Sequence, residues 1–226
     1  MRLNVQGRII TFEGIDGAGK STQAQILYNY LKNYFDNVIL LREPGGTKLG
    51  DMVRDILLRE NQIEPACSTE TFDISITAEF LLFAAARAEL VRQVVAPALQ
   101  EGAVILLDRF IDSSIAYQGY GRGLAIDFID KVNRAVINGI EPDLTLLFDI
   151  APQAASSRLQ RRADRIEAEG LIFLETVRQG YLKIAAAEPQ RIRLIDAALE
   201  PQTVSSMMFE AVKPLLINFN RIATYV

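Results

Sequence analysis

Short apolar, β-branched runs alternate with longer amphipathic stretches along the chain. Five runs predict strands: "RIITF" (8–12), "NVILLR" (37–42), "AVILLD" (103–108), "LTLLFDI" (144–150) and "RIRLID" (191–196). Their apolar residues are nearly unbroken rather than alternating, the pattern of strands covered on both faces. Between them the spacing predicts helices over 20–35, 47–58, 77–99, 127–138, 171–187 and 204–218. In the second, Leu49, Met52, Val53, Ile56 and Leu57 form one stripe; the fourth starts at Asp127, and Gly139 is placed to cap its end. This alternation predicts an α/β fold with a parallel sheet between layers of helices. With no internal repeat, low-complexity tract or Pro/Gly/Ser-rich linker, one domain over 1–226 is expected.

The first predicted strand runs into "GIDGAGKST" and a helical pattern follows. The spacing G-x-x-x-x-G-K-[ST] is met by Gly14, Gly19, Lys20 and Ser21. Glycines let successive backbone N–H groups turn inward at the positive end of a helix, which makes a cradle for phosphate. The residues expected to line it are Gly14, Ile15, Asp16, Gly17, Ala18, Gly19, Lys20, Ser21 and Thr22. Lys20 would reach the outer phosphates of a nucleotide, and the Ser21 hydroxyl would hold Mg²⁺. The third strand ends in Asp108, at the edge where ligands of parallel sheets sit, so Asp108 is the expected second metal residue.

Composition narrows the chemistry. The chain has no histidine and a single cysteine, Cys67, which excludes a histidine base, an internal disulfide and a Cys/His zinc cluster. Catalysis is left to carboxylates, Arg, Lys, hydroxyls, backbone amides and bound metal. A formal charge of −4 without a Lys/Arg run gives no footprint for nucleic acid. No apolar stretch approaches the roughly 20 residues of a membrane span, and because the opening residues run into a strand pattern, no leader is expected. The expected location is the cytoplasm, with neither nucleic acid nor membrane as a partner.

A phosphate loop serves switches, motors and transferases alike. A GTP switch would read its base with N-K-x-D, and no Asn–Lys pair occurs. A motor would need more chain or a basic track. What the sequence has instead is arginines near predicted strand ends: Arg42 in "LREPGG", Arg109 in "DRF", and Arg158, Arg161, Arg162 and Arg165 around "RRADR". Such residues can grip phosphate oxygens in pairs. Phe83 and Arg87 lie four apart on one predicted helix face, where a ring and a guanidinium can together hold a planar base.

"FEGIDGAGKST", "REPGGT", "LLFAAARAEL", "DRFIDSSIAYQGYGRG", "PDLTLLFDI" and "DRIEAEG", in this order, resemble the bacterial type of thymidylate kinase. The resemblance runs from about residue 8 to residue 183 and implies a P-loop NTPase three-layer fold with a five-stranded parallel sheet and a lid at about 155–168. It implies transfer of phosphoryl from ATP to dTMP with Mg²⁺, in a homodimer. By position it implies Arg42 and Arg109 on the dTMP phosphate, Phe83 stacked on thymine and Arg87 on a thymine carbonyl. Ser114 and Gln118 would face the rest of the base, Tyr117 the sugar's 2′ position, and Asp16 the 3′-hydroxyl. Gly17 stands where one subtype carries a basic residue, so an arginine of the lid, Arg162 foremost, would reach the moving phosphoryl. Arg158, Arg161 and Arg165 would lie in the lid or toward adenine. A kinase of another pyrimidine nucleotide or of a deoxynucleoside, or a nucleotide-binding regulator without catalysis, are the competing readings.

Overall fold

The computed structural model describes residues 7–58, 74–159, 165–166 and 169–219. All five predicted strands form, each within a residue of its expected bounds: β1 (Arg8–Glu13), β2 (Val38–Arg42), β3 (Val104–Asp108), β4 (Leu144–Asp149) and β5 (Ile192–Asp196). They pair in parallel in the order β2-β3-β1-β4-β5. The central β1 is flanked by β3 and β4, so the connections diverge on either side of its C-terminal end. That switch point is where an α/β sheet opens a ligand crevice.

Alternate residues of β1 enter two cores. Ile10 and Phe12 pack with Leu27, Leu31, Met208 and Val212; Ile9 packs with Leu90, Val91, Val95 and Leu99. Phe12 also stacks on Phe148 at 5.9 Å. Each such fully buried side chain contributes about 1.5–3 kcal/mol of transfer free energy. Thr11 shares the face of Ile9 but is polar, and it is satisfied in place: its hydroxyl meets that of Thr145 at 2.7 Å. Thr145 donates to Asp112, which holds Arg191 through two bonds at 2.7 and 2.9 Å.

The helices are α1 (Lys20–Leu31), α2 (Lys48–Leu58), α3 (Ile76–Leu90), α4 (Ala96–Gln100), α5 (Ile111–Ser114), α6 (Ile126–Ile137), α7 (Pro152–Arg158), α8 (Leu171–Ala187) and α9 (Pro201–Phe219). The helix expected over 77–99 is interrupted by a π turn at Val91–Val95. Pro97 explains it: proline has no N–H for the carbonyl of Gln93, and the wider turn accommodates that gap. A second π turn, Ile115–Gly121, continues α5. α1 ends at Leu31, short of the expected Phe35. α6 ends with Asn138 at φ 48° followed by Gly139 at φ 79°, so two left-handed residues turn the chain there. α7, absent from the sequence-based assignment, begins at Pro152, whose fixed φ suits a first helical position. Among the described residues, no helix is long and apolar enough to cross a membrane. Cys67 lies outside them.

Candidate active site

The loop after β1 has the backbone its glycines were expected to allow. Gly14 has φ 134°, and a Cβ there would lie 2.4 Å from the Phe148 carbonyl oxygen. Gly17 has φ 82°, and its Cβ would lie 2.3 Å from the carbonyl oxygen of Ala155 in α7. The loop is thus clamped between β4 and α7, with Ile15 and Ala18 buried beneath it. Gly19, left-handed at φ 88°, caps α1. Lys20 is buried and donates to the Ile15 carbonyl at 2.8 Å, with Asp16 at 3.9 Å. Burial and the nearby Arg109 push its ammonium pKa down, against the pull of Asp16, Asp108 and Glu13. Ser21 is exposed and donates to Asp108 Oδ2 at 2.5 Å, so these two oxygens meet at one point; Thr22 is exposed beside it.

The chain after β3 turns sharply, with Arg109 at φ 73°. A left-handed conformation at a non-glycine residue persists only where surroundings hold it, and here they do. The Arg109 N–H donates to the Phe12 carbonyl at 3.0 Å. Its guanidinium donates to Asp16 at 2.7 Å, to the Gly14 carbonyl at 3.0 Å, and to the hydroxyls of Tyr117, Ser113 and Tyr181 at 3.2–3.3 Å. Beneath it lies Glu13, fully buried, which accepts from the Phe110 N–H at 2.7 Å, Ser113 Oγ at 2.6 Å and Tyr181 OH at 2.9 Å. Glu13 therefore fixes both the residue after Arg109 and two of its hydroxyl partners. Burial, with the neighbouring Asp112, raises the Glu13 carboxyl to about 7, opposed by Ser113, Arg109 and the Phe110 N–H. Asp16 goes the other way. Burial would raise it, but Arg109 and Lys20 hold it well below the usual carboxylate range.

A cavity of about 500 Å³ runs from this corner toward α3. Asp16, Lys20, Ser21, Asp108 and Arg109 line one end; Phe83, Arg87, Ser114, Tyr117 and Gln118 line it further along, with Arg42 exposed at its wall. Eleven of the expected residues thus face a single space, although they come from the loop after β1, α1, β2, α3, β3 and the turn after it, α5 and the π turn that continues it. Arg87 is 2 % exposed. It donates to Glu43 at 2.9 Å, Asn133 at 2.7 Å, the Phe110 carbonyl at 3.1 Å and Ser114 at 3.0 Å. Of the five N–H groups of a guanidinium, this leaves one, on Nη1, for a ligand. Tyr117 donates to Asp16 at 3.1 Å while the Arg109 guanidinium lies 5.0 Å from its ring centre.

The lid arginines divide. Arg158, at the end of α7, donates to the Ala197 carbonyl after β5 at 2.8 Å and does not line the cavity. Arg165 turns to the other side, donating to the Leu57 carbonyl at 3.0 Å and to Glu79 at 2.5 Å. Arg161 and Arg162 lie outside the described residues. Several residues at the site carried no signal of their own in the sequence. Glu13 passes for the last residue of a strand, and Glu79 for a favourable charge in the first turn of a helix. Glu43 is buried with Oε1 unpaired among the described residues, its pKa raised by burial against the effect of Arg87. Tyr181 reaches the site from α8, 68 residues beyond Ser113, a separation no local pattern reveals.

The model of the family described as "Thymidylate kinase" matches residues 12–208. A thymidylate kinase of Thermoanaerobacter sp. (strain X514) is 45 % identical over 213 residues, covering 94 % of this chain and all of the relative. One from Chlorobaculum parvum is 44 % identical over 218 residues, covering 92 % and 96 %. Among solved structures, the crystal structure of thymidylate kinase from Ehrlichia chaffeensis superposes with a TM-score of 0.73 at 34 % identity, covering 92 % of this chain and 98 % of that one.

Proposed function

The chain belongs to the thymidylate kinase family and transfers a phosphoryl group from ATP to dTMP, and we propose that the residues of the shared cavity carry this transfer in the following roles. The observation that supports the reading is the continuity of that cavity. A phosphate loop stands at one end, and a ring with a guanidinium stands where a base would lie.

The backbone amides from Gly14 to Thr22 receive the ATP phosphates, and Lys20 leaves the Ile15 carbonyl for their outer oxygens. Phe83 stacks on thymine, the remaining Nη1 proton of Arg87 meets a thymine carbonyl, and Ser114 and Gln118 read the rest of the base edge. Tyr117 fills the space a 2′-hydroxyl would need. Arg42 and Arg109 hold the dTMP phosphate, with Asp16 between Arg109 and the sugar. That phosphate is already an anion, so its oxygen attacks the γ-phosphorus without any base taking a proton. A bond forms to that phosphorus as its bond to the β-phosphate bridge breaks, and ADP leaves. What the protein supplies is alignment and neutralisation of the charge on the moving group. This fits a chain with no histidine.

Ser21 Oγ and Asp108 Oδ2 converge at 2.5 Å. A hydroxyl and a carboxylate are hard oxygen donors, the kind Mg²⁺ takes together with substrate phosphates, so these residues fit the ion. When bound, Mg²⁺ would offset charge on the ATP phosphates. Arg162 would meet the transferred phosphoryl, and Arg158 and Arg161 would flank the ATP side. The expected homodimer is supported by exposed apolar residues on α2 and α3, namely Leu49, Met52, Ile56, Ile76 and Leu81, which pairing with a second copy would cover.

The test is ADP formation with dTMP, thymidine, dUMP and ribose-containing TMP, each supplied separately with ATP and Mg²⁺. Highest turnover with dTMP supports the assigned base and sugar contacts. Turnover with thymidine alone, or none that depends on an acceptor, contradicts them.

A further inference from the structure

Glu79 lies in the first turn of α3 with 1 % of its side chain exposed, behind the wall of the cavity. Its carboxylate gathers three donor residues from two stretches of chain. Oε1 accepts from Gln118 Nε2 at 3.0 Å and Arg122 Nε at 3.3 Å; Oε2 accepts from Arg122 Nη2 at 3.2 Å and Arg165 Nη2 at 2.5 Å. Arg122 also donates to Glu169 at 2.6 Å. Burial disfavours the charge on Glu79, but the Gln118 bond and the two guanidiniums outweigh it and lower its pKa. The carboxylate stays ionised.

An ionised carboxylate has no proton to give. The end of the Gln118 amide turned toward it must be the NH₂ group, which leaves the carbonyl as the other end. Gln118 lines the cavity beside Ser114 and Tyr117. Thymine and uracil present an N3–H donor along their base edge, whereas cytosine presents a bare acceptor nitrogen there. A fixed carbonyl complements the first and repels the second.

We propose that Glu79 is a specificity-determining positioning residue: by holding the Gln118 amide with its NH₂ outward and its carbonyl toward the base, it makes the pocket favour pyrimidines with an N3–H over cytosine. The proposal rests on dTMP occupying this cavity as described above. Sites that hydrogen-bond a specific donor reject analogues lacking it because a buried polar group is left unpaired.

In Glu79→Gln, the oxygen of the new amide stays with Arg122 Nη2 and Arg165, whose bond is the shortest of the set, and its NH₂ faces Gln118 at the cost of the 3.3 Å bond from Arg122 Nε. Gln118 then turns over to accept, and its own NH₂ points at the base. The ratio of kcat/KM for dTMP to that for dCMP is expected to fall by tenfold or more, with the KM for ATP unchanged. The double variant Glu79→Gln/Gln118→Glu returns an acceptor-only group to position 118 and is expected to restore the preference for dTMP. A folded single variant with an unchanged ratio, or with equal losses on both acceptors, overturns the proposal. If the single variant does not fold, the double variant and Gln118→Met decide. Preference kept in the first and lost in the second supports the proposal; any other pairing overturns it. Wild-type protein that fails to phosphorylate dTMP counts against the proposed function rather than against Glu79.

Discussion

Replacing Glu13 by Gln should make the protein more stable at alkaline pH while weakening its activity. The carboxyl is fully buried and its pKa stands at about 7 against 4.5 in the unfolded chain. A group whose folded pKa is raised favours folding below the unfolded value, and that contribution is lost as pH rises through the folded value. Here the window lies between about 4.5 and about 7, and the loss across it is roughly 3 kcal/mol by linkage. Gln has nearly the same shape, can accept the Phe110 N–H with its oxygen, and can donate to the hydroxyls of Ser113 and Tyr181. It carries no charge to desolvate. Urea denaturation of both proteins at pH 5 and pH 8 should therefore show wild type losing roughly 2–3 kcal/mol relative to Glu13→Gln over that interval. In thermal unfolding this corresponds to a relative Tm shift of about 5–10 °C for a chain of this size. Carboxyls away from Glu13 titrate alike in both proteins and cancel in the comparison. Because the exchange reverses hydrogen bonds around Ser113 and Tyr181, which support Arg109, kcat/KM for dTMP should fall about tenfold, the scale of one misdirected charged hydrogen bond. A parallel pH dependence in the two proteins would refute the argument, since it would mean Glu13 is charged at no cost.

Three further outcomes are expected. Gly17→Ala places a Cβ 2.3 Å from the Ala155 carbonyl oxygen at φ 82°; it should destabilise the fold by about 2 kcal/mol or more and weaken ATP binding, both readable by urea denaturation and calorimetry. Arg162→Ala should lower kcat by about 10³ with dTMP affinity little changed in an equilibrium titration; unaltered turnover would assign the transferred charge to another arginine. Met52→Asp, on the exposed apolar stripe of α2 where Met52 is 56 % exposed, should halve the mass seen in sedimentation if that face joins two copies.

Much of the scaffold was legible because both faces of its central strands are covered: unbroken apolar runs such as Ala103–Leu107 leave little else to assign. The phosphate loop was legible because its spacing encodes backbone geometry. Phe83 and Arg87 were found by helical spacing, yet spacing could not show that Arg87 is buried and already holds four partners. The π turn at Ile115–Gly121 was hidden because it depends on hydrogen-bond slippage rather than on residue type, and with it the direction of Tyr117 and Gln118. Arg109 gave no local hint of its left-handed backbone, which is imposed by Glu13, Phe12 and the loop. Glu13 and Glu79 act through partners far along the chain, and nothing next to either in sequence marks that role.

The central claim is a single in-line transfer between two nucleotides held in one cavity. The most direct test is the stereochemistry at phosphorus, using ATP made chiral at the γ position with oxygen isotopes and dTMP as acceptor. Inverted configuration in the dTDP product is the predicted result. Retention would mean that the phosphoryl group passes through an intermediate on the protein and would contradict the account.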